Sequence, residues 1–118
     1  MPDKIFTPRK HIYIASPMYS SGMIHENVNN AVGVADTLLD MGYIPVVPQM
    51  NHFWAHLTFK EEDEWLRIDR HWLSRCDALF RIQGKSRGAN LEEKWAGEFN
   101  IPIFHSFSML DLHFRTNT

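Results

Sequence analysis

Residues 77–104, DALFRIQGKSRGANLEEKWAGEFNIPIF, carry the pattern that decides the fold. DALFRI (77–82) is a short apolar run, QGKSRG (83–88) is turn-forming, ANLEEKWAGEFN (89–100) repeats with helical period, and IPIFHS (101–106) is a second short apolar run. Strand, helix and strand in that order make a βαβ unit, so its two strands run parallel.

The same alternation extends toward the N-terminus. HIYIA (11–15) reads as a buried strand, SPMYSSGM (16–23) as a loop, and 25–42 as a helix stopped by Gly42. YIPVVP (43–48) is a further strand, and QMNHFWAHLTF (49–59) reads as a long aromatic loop. Residues 60–76 form an amphipathic helix with acids in its first turn, where the helix dipole favours them. SMLDLHF (108–114) closes the chain as a short helix, with Ser106 or Ser108 as its cap. Residues 1–10 are an irregular lead-in. The expected architecture is one α/β domain over 1–118, a flavodoxin-like or Rossmann-like three-layer sandwich with a parallel sheet of four to five strands. Ligands of such sheets sit at the carboxyl ends of the strands, here near loops 16–24, 48–59 and 83–89.

The adjacent glutamates of the 89–100 helix separate on a helical wheel. With Leu91 at zero and about 100° per residue, Trp95, Phe99 and Ala96 define the inner arc; Glu92 falls inside it near 100° and Glu93 outside it near 200°. Glu93 is therefore expected in solvent and its loss nearly silent. Glu92 is expected in the helix's first turn, where unpaired N–H groups hold an acid ionised. The 60–76 helix repeats the feature, with Asp69 in the middle of its apolar arc near 40° when Trp65 is at zero. An inward acid is costly unless paired, so two of them beside one strand point to a shared polar site, although a purely structural network is the plain alternative. The KSRG segment supplies Lys85, Ser86, Arg87 and Gly88 ahead of a helix N-terminus, a place suited to an anion or to an ordinary solvated turn. It lacks the spacing of a phosphate-binding P-loop, and no dinucleotide fingerprint follows the first strand.

The totals exclude several classes. Net charge is −2, which gives no support for a nucleic-acid polymer or a membrane surface as partner. One cysteine, Cys76, rules out an internal disulfide and fits a cytoplasmic protein. No apolar run reaches membrane-spanning length, and the start lacks the pattern of a signal peptide. His52 and His56 are spaced H-x-x-x-H, but in a segment read as a loop and without a third ligand, so no metal and no cofactor is expected.

Four segments together resemble the nucleoside 2-deoxyribosyltransferase family, including its 2′-deoxynucleoside 5′-monophosphate N-glycosidases. They are I-Y-I-A-S-P-M; D-x-x-W-L-x-x-C-D-A-L; S-x-G-x-x-x-E-x-x-x-A; and G-x-x-x-I-P-I-F, within residues 11–104. The resemblance implies a flavodoxin-like fold and cleavage of the N-glycosidic bond of a nucleoside or its 5′-monophosphate, releasing or transferring the base. It implies Glu92 as nucleophile, Asp69 as the acid near the leaving base and Tyr13 as the positioning hydroxyl. Ser86, Gly88, Arg87 and Asn90 fall in the segment that approaches sugar or phosphate; Ser16, Met18 and Tyr19 fall in the first loop. Met18, Tyr19, Phe53 and Trp54 are candidates to enclose a flat base. In the nucleotide hydrolases the first loop carries glycine–serine and then arginine; here it reads Ser16, Pro17, Met18, Tyr19. A small-molecule nucleoside or nucleotide is the implied partner, and a homodimer or higher homo-oligomer the implied assembly. A non-catalytic nucleotide-binding or sensor module on the same fold is the alternative.

Overall fold

The computed structural model of the chain describes residues 5–18 and 24–116. Strand β1 (His11–Ala15) leads to helix α1 (Ile24–Asp40) and β2 (Ile44–Val46). A 3₁₀ turn (Pro48–Met50), α2 (Asn51–Leu57) and α3 (Glu62–Ser74) follow. The chain closes with β3 (Ala78–Arg81), α4 (Arg87–Glu98), β4 (Ile103–Phe104) and α5 (Phe107–Thr116). The four strands form one parallel sheet in the order β2-β1-β3-β4. That is the expected three-layer α/β sandwich.

Alternation along β1 builds both layers. Ile12 and Ile14 point to one face and join Ala31, Ala35 and Leu38 of α1 and Leu110 of α5. Tyr13 and Ala15 point to the other and join Leu73 of α3 and Ala89, Trp95 and Ala96 of α4. A strand buried on both faces reads as a continuous apolar run, which is why HIYIA is legible as central. Left-handed residues stop two of the three helices that feed strands, α1 and α4. Gly42 (φ 98°) ends α1, with Tyr43 N–H donating to Leu38 O at 3.0 Å; Asn100 (φ 58°) ends α4, with Ile101 N–H donating to Ala96 O at 2.8 Å. At α5 the cap is Ser106, whose Oγ accepts from Met109 N–H at 3.2 Å.

Three expectations change. The aromatic segment 49–59 is mostly a 3₁₀ turn and a seven-residue helix. Its aromatic residues leave no apolar stripe to betray the helix, and none of Asn51–Leu57 is fully buried. The last strand spans two residues: Ile101 N–H closes α4 by donating to Ala96 O, and before Ile103 only the Pro102 carbonyl, accepting from Leu79 N–H at 2.9 Å, reaches the sheet. Helix α4 begins at Arg87, with Ser86 as its N-cap and its Oγ accepting from Ala89 N–H at 3.0 Å. Glu92 therefore sits in the second turn, beyond the first-turn N–H groups expected to stabilise its charge.

Candidate active site at the carboxyl edge of the sheet

The strand order reverses direction at β1, so the loops after β1 and β3 diverge to opposite faces and leave a crevice between them. A cleft of about 420 Å³ opens there. Its walls include Ser16 and Met18 after β1, Pro48 and Gln49 after β2, Glu62, Leu66 and Asp69 of α3, and Ser86–Ala89, Glu92 and Trp95 at α4.

Tyr13 is fully buried, and its hydroxyl donates a hydrogen bond to Glu92 Oε2. The strand therefore delivers a rigid donor to the carboxylate that α4 carries inward. Asp69 reaches the same cleft from α3, and its Oδ1 accepts from Asn51 Nδ2 at 3.2 Å. Arg70, one residue on, lies over the rings of Trp95 (5.3 Å) and Phe99 (4.9 Å) and donates to Glu98 at 3.0 Å. These contacts clamp α3 to α4, the two helices that carry the acids.

Burial controls the protonation of both acids. It raises the Asp69 carboxyl to about 7. Burial also raises Glu92 to about 8; the negative charge of Asp69 adds to the rise, while the Tyr13 hydrogen bond and the Arg81 charge oppose it. Tyr13 is held well above its ordinary range, first by burial and then by the Glu92 charge, so it stays a donor. The expectation of a Glu92 held fully ionised gives way to two half-shielded carboxyls that both keep protons up to neutral pH, Glu92 the longer of the two.

This has a stability consequence. Carboxyls release their protons near pH 4 in an unfolded chain, at about 3.9–4.3. Between there and about pH 8 the folded chain retains protons that the unfolded chain has lost. Stability therefore falls as pH rises through that window. Glu92→Gln removes the Glu92 share of this loss. Its melting temperature is expected to exceed that of the wild type at pH 9, with the difference shrinking toward pH 5. An equal difference at both pH values would contradict the assignment.

The other predicted positions separate. Ser86, Gly88 and Arg87 line the cleft, as do Ser16 and Met18. Ser86 Oγ also holds the helix cap, and Ser16 Oγ accepts from Gln49 Nε2 at 2.7 Å. Asn90 is not among the lining residues; its Oδ1 accepts from Arg81 Nη2 at 3.3 Å. Tyr19 lies outside the described residues. Phe53 and Trp54 are on α2 away from the cleft lining, Trp54 packing edge-on against Trp65 at 5.2 Å. Trp95, read as a core residue, supplies an aromatic wall instead.

Sequence reasoning missed Arg81, Gln49 and Asn51. Arg81 ends β3 and is buried, a position where an arginine needs several partners. Its Nε donates to Glu93 Oε2 at 3.0 Å, Nη1 to Ile82 O, and Nη2 to Gly84 O at 2.8 Å as well as to Asn90. The guanidinium thus ties the loop after β3 to the first turns of α4. Glu93 is correspondingly half-buried and ion-paired, not the free solvent residue expected. The lone arginine in an otherwise apolar strand was the available signal. Gln49 is buried, and its Nε2 also donates to Ile14 O at 3.0 Å. Gly84 (φ 130°) packs the loop after β3 against the loop after β1, where a Cβ would stand 2.7 Å from the Pro17 side chain.

A parallel α/β domain with two interacting acids and a tyrosine at its topological switch point is the class that fold and site define. The chain belongs to a family described only as a domain of unknown function (DUF7768), whose model matches residues 10–106. Among solved structures it is similar to the 2-deoxyribosyltransferase of the psychrotolerant bacterium Bacillus psychrosaccharolyticus. That similarity has a TM-score of 0.55 and 20% sequence identity, over 79% of this chain and 69% of the other. At that identity the likeness establishes the fold. No curated protein matches the sequence. Among the described residues, no helix is long and apolar enough to cross a membrane.

Proposed function

We propose that this protein cleaves the N-glycosidic bond of a nucleoside or nucleoside 5′-monophosphate, with Glu92 as nucleophile. The observation that carries this reading is the hydrogen bond from buried Tyr13 to Glu92 inside a cleft that also holds Asp69. The similar fold of a nucleoside-processing transferase supports it.

The chemistry asks for two acids in different protonation states. As the C1′–N bond breaks, positive charge develops on the sugar, and an anion beneath C1′ stabilises it. Glu92 in its ionised form then bonds to C1′, giving a glycosyl ester. The base departs with the bonding electron pair and takes a proton from Asp69, directly or through water. Attack on C1′ by water, or by a second base, with the ionised Asp69 taking the attacking group's proton, breaks the ester bond and regenerates the free glutamate and the protonated aspartic acid. Tyr13 positions the Glu92 carboxylate by donating to one oxygen, leaving the other for C1′. Trp95 and Met18 offer an apolar wall for the base. Ser86, Arg87 and Gly88 offer donors and open backbone near the α4 N-terminus for the sugar or a 5′-phosphate. A non-catalytic binding module would have no use for two buried acids whose proton affinity burial raises. In this reading the protein acts in the cytoplasm as a homo-oligomer, for which the exposed Phe53, Trp54, Leu57 and Phe59 provide apolar surface.

Chromatography of incubations with ribo- and deoxynucleosides and their 5′-monophosphates, with and without an acceptor base, tests the proposal. Free base, or a new nucleoside when acceptor is present, is the expected product. Ligand binding with no turnover across the panel would favour the sensor reading.

The active form carries one proton on the acid pair, with Glu92 ionised and Asp69 protonated. Because Glu92 holds its proton to about pH 8 and Asp69 to about 7, that is the minor one-proton form. The kcat/KM is expected to follow a narrow, low bell with limbs near pH 7 and pH 8. Asp69→Asn should lower the rate and leave a single limb that rises with pH as Glu92 ionises. A flat profile between pH 6 and 9 in the wild type would remove the acid pair from the mechanism.

A further inference from the structure

Carboxyls outnumber cations in the cleft. Glu62, Asp69 and Glu92 stand among its lining residues against one guanidinium, that of Arg87. Glu62 and Arg87 are both exposed, so water and salt screen them, whereas Asp69 and Glu92 are the shielded pair. The neighbouring cations are committed elsewhere. Arg81, whose charge reaches Glu92, is not a lining residue and donates to Glu93, Ile82 O, Gly84 O and Asn90. Arg70 donates to Glu98. Tyr13 gives one hydrogen bond to Glu92 and Asn51 gives one to Asp69, while an ionised carboxylate has about four sites that accept.

A buried amide adds to the same imbalance. Gln49 lines the cleft at 4% exposure, and its Nε2 is taken by Ile14 O and Ser16 Oγ. Its Oε1 is buried and accepts from no donor among the described residues. A buried acceptor of this kind is completed by a ligand or by water. The inner cleft is thus a set of acceptors beside the apolar Leu66 and Trp95, and its complement is a flat ligand that carries positive charge.

We infer that the cleft takes nucleosides whose aromatic base is already a cation while bonded to the sugar, as in an N-glycosylated pyridinium. The inference rests on the glycosidic reading of the site and names its substrate class. It also removes a difficulty. A neutral base needs Glu92 ionised and Asp69 protonated at once, which is the minor one-proton form. A cationic base needs no proton to depart. The C1′–N bond breaks, its electron pair passes to the ring nitrogen and cancels the charge there, and the base leaves neutral. Glu92 forms the C1′–O bond as before. Asp69 stays ionised as the counter-charge of the bound base, and then takes the proton of the water that opens the ester and passes it to solvent.

Stopped-flow fluorescence of the wild-type chain, which reads binding before turnover, tests this with N-ribosyl- and N-(2-deoxyribosyl)nicotinamide and their 1,4-dihydro forms. The members of each pair share a sugar and differ in charge. At pH 8 the cation is expected to bind at least about tenfold tighter than its neutral partner. Protons compete with the cation for Asp69 and Glu92, so its Kd should fall by about tenfold or more from pH 6 to pH 9. Asp69→Asn should weaken cation binding by about tenfold and reduce this dependence. Glu62→Gln, at an exposed position, should weaken it by about twofold to fivefold. Base release from the cation should rise with pH to a plateau, with no falling limb. Equal affinity within both pairs would overturn the inference, and base release from neutral nucleosides in the same preparation would show the reaction of Glu92 standing without it. A cation affinity that does not change between pH 6 and pH 9 would overturn the acid pair as counter-charge. Cation-selective binding that tightens with pH, with no base released, would support the ligand class and remove the reaction.

Discussion

Glu92→Ala is expected to lose base release by at least about 10³-fold, or about 4 kcal/mol of transition-state stabilisation. The loss should appear in kcat, because the carboxylate acts on charge that exists only as the glycosidic bond breaks. The variant leaves the Tyr13 hydroxyl without its carboxylate acceptor in a buried place, so Glu92→Gln is the necessary companion. Glutamine keeps an acceptor for Tyr13 and fills the same volume, but it cannot become the ester. Both variants should remain folded, since each removes an acid that burial disfavours in its charged form. Wild-type turnover by Glu92→Gln would exclude Glu92 as nucleophile, whatever the alanine variant does.

Glu93→Ala, one residue along, should lose stability and keep its chemistry. Arg81 is buried, and Glu93 is its one anionic partner in the described contacts. Removing that partner leaves the guanidinium with only the Ile82 and Gly84 carbonyls and the Asn90 amide oxygen. Breaking a buried ion pair from one side costs about 3–5 kcal/mol; the partial exposure of Glu93 lowers this to about 2–4 kcal/mol. For a domain of this size the melting temperature should fall by roughly 10 °C. Urea unfolding measures the change directly, and turnover well below the new midpoint should persist. An unchanged urea midpoint would mean that the Arg81–Glu93 pair contributes nothing, as the helical wheel alone suggests.

The contrast between these neighbours shows how far the sequence can be read. Apolar runs of four or five residues separated by helical repeats were enough for the parallel three-layer fold, because a strand buried on both faces has no polar alternation to confuse it. The inward direction of Glu92 and Asp69 was legible for the same reason: helical period fixes azimuth. Azimuth gives no information about what lies beyond the helix. Arg81 comes from a strand, and only the fold brings its guanidinium against Glu93, twelve residues away. The start of α4 was placed two residues late because Arg87 and Gly88 read as loop. The cap is Ser86, and that shift moves Glu92 out of the first turn; its charge state is set mainly by burial, which the wheel does not measure. Helix α2 was missed because its pattern is aromatic throughout and its faces are not buried, so no periodic signal marks it. The histidine pair was visible as a spacing, but it became geometry only once that helix was known.

The central claim is that Glu92 bonds to the sugar. Rapid acid quench during turnover, followed by trypsin and mass spectrometry, tests it most directly. Cleavage after Arg87 and Lys94 isolates residues 88–94, a peptide that contains both glutamates, and fragmentation separates them. A glycosyl adduct on Glu92, absent in Glu92→Gln, is the predicted result. An adduct on Glu93 or on another residue, or turnover with no adduct at any quench time, would contradict the account.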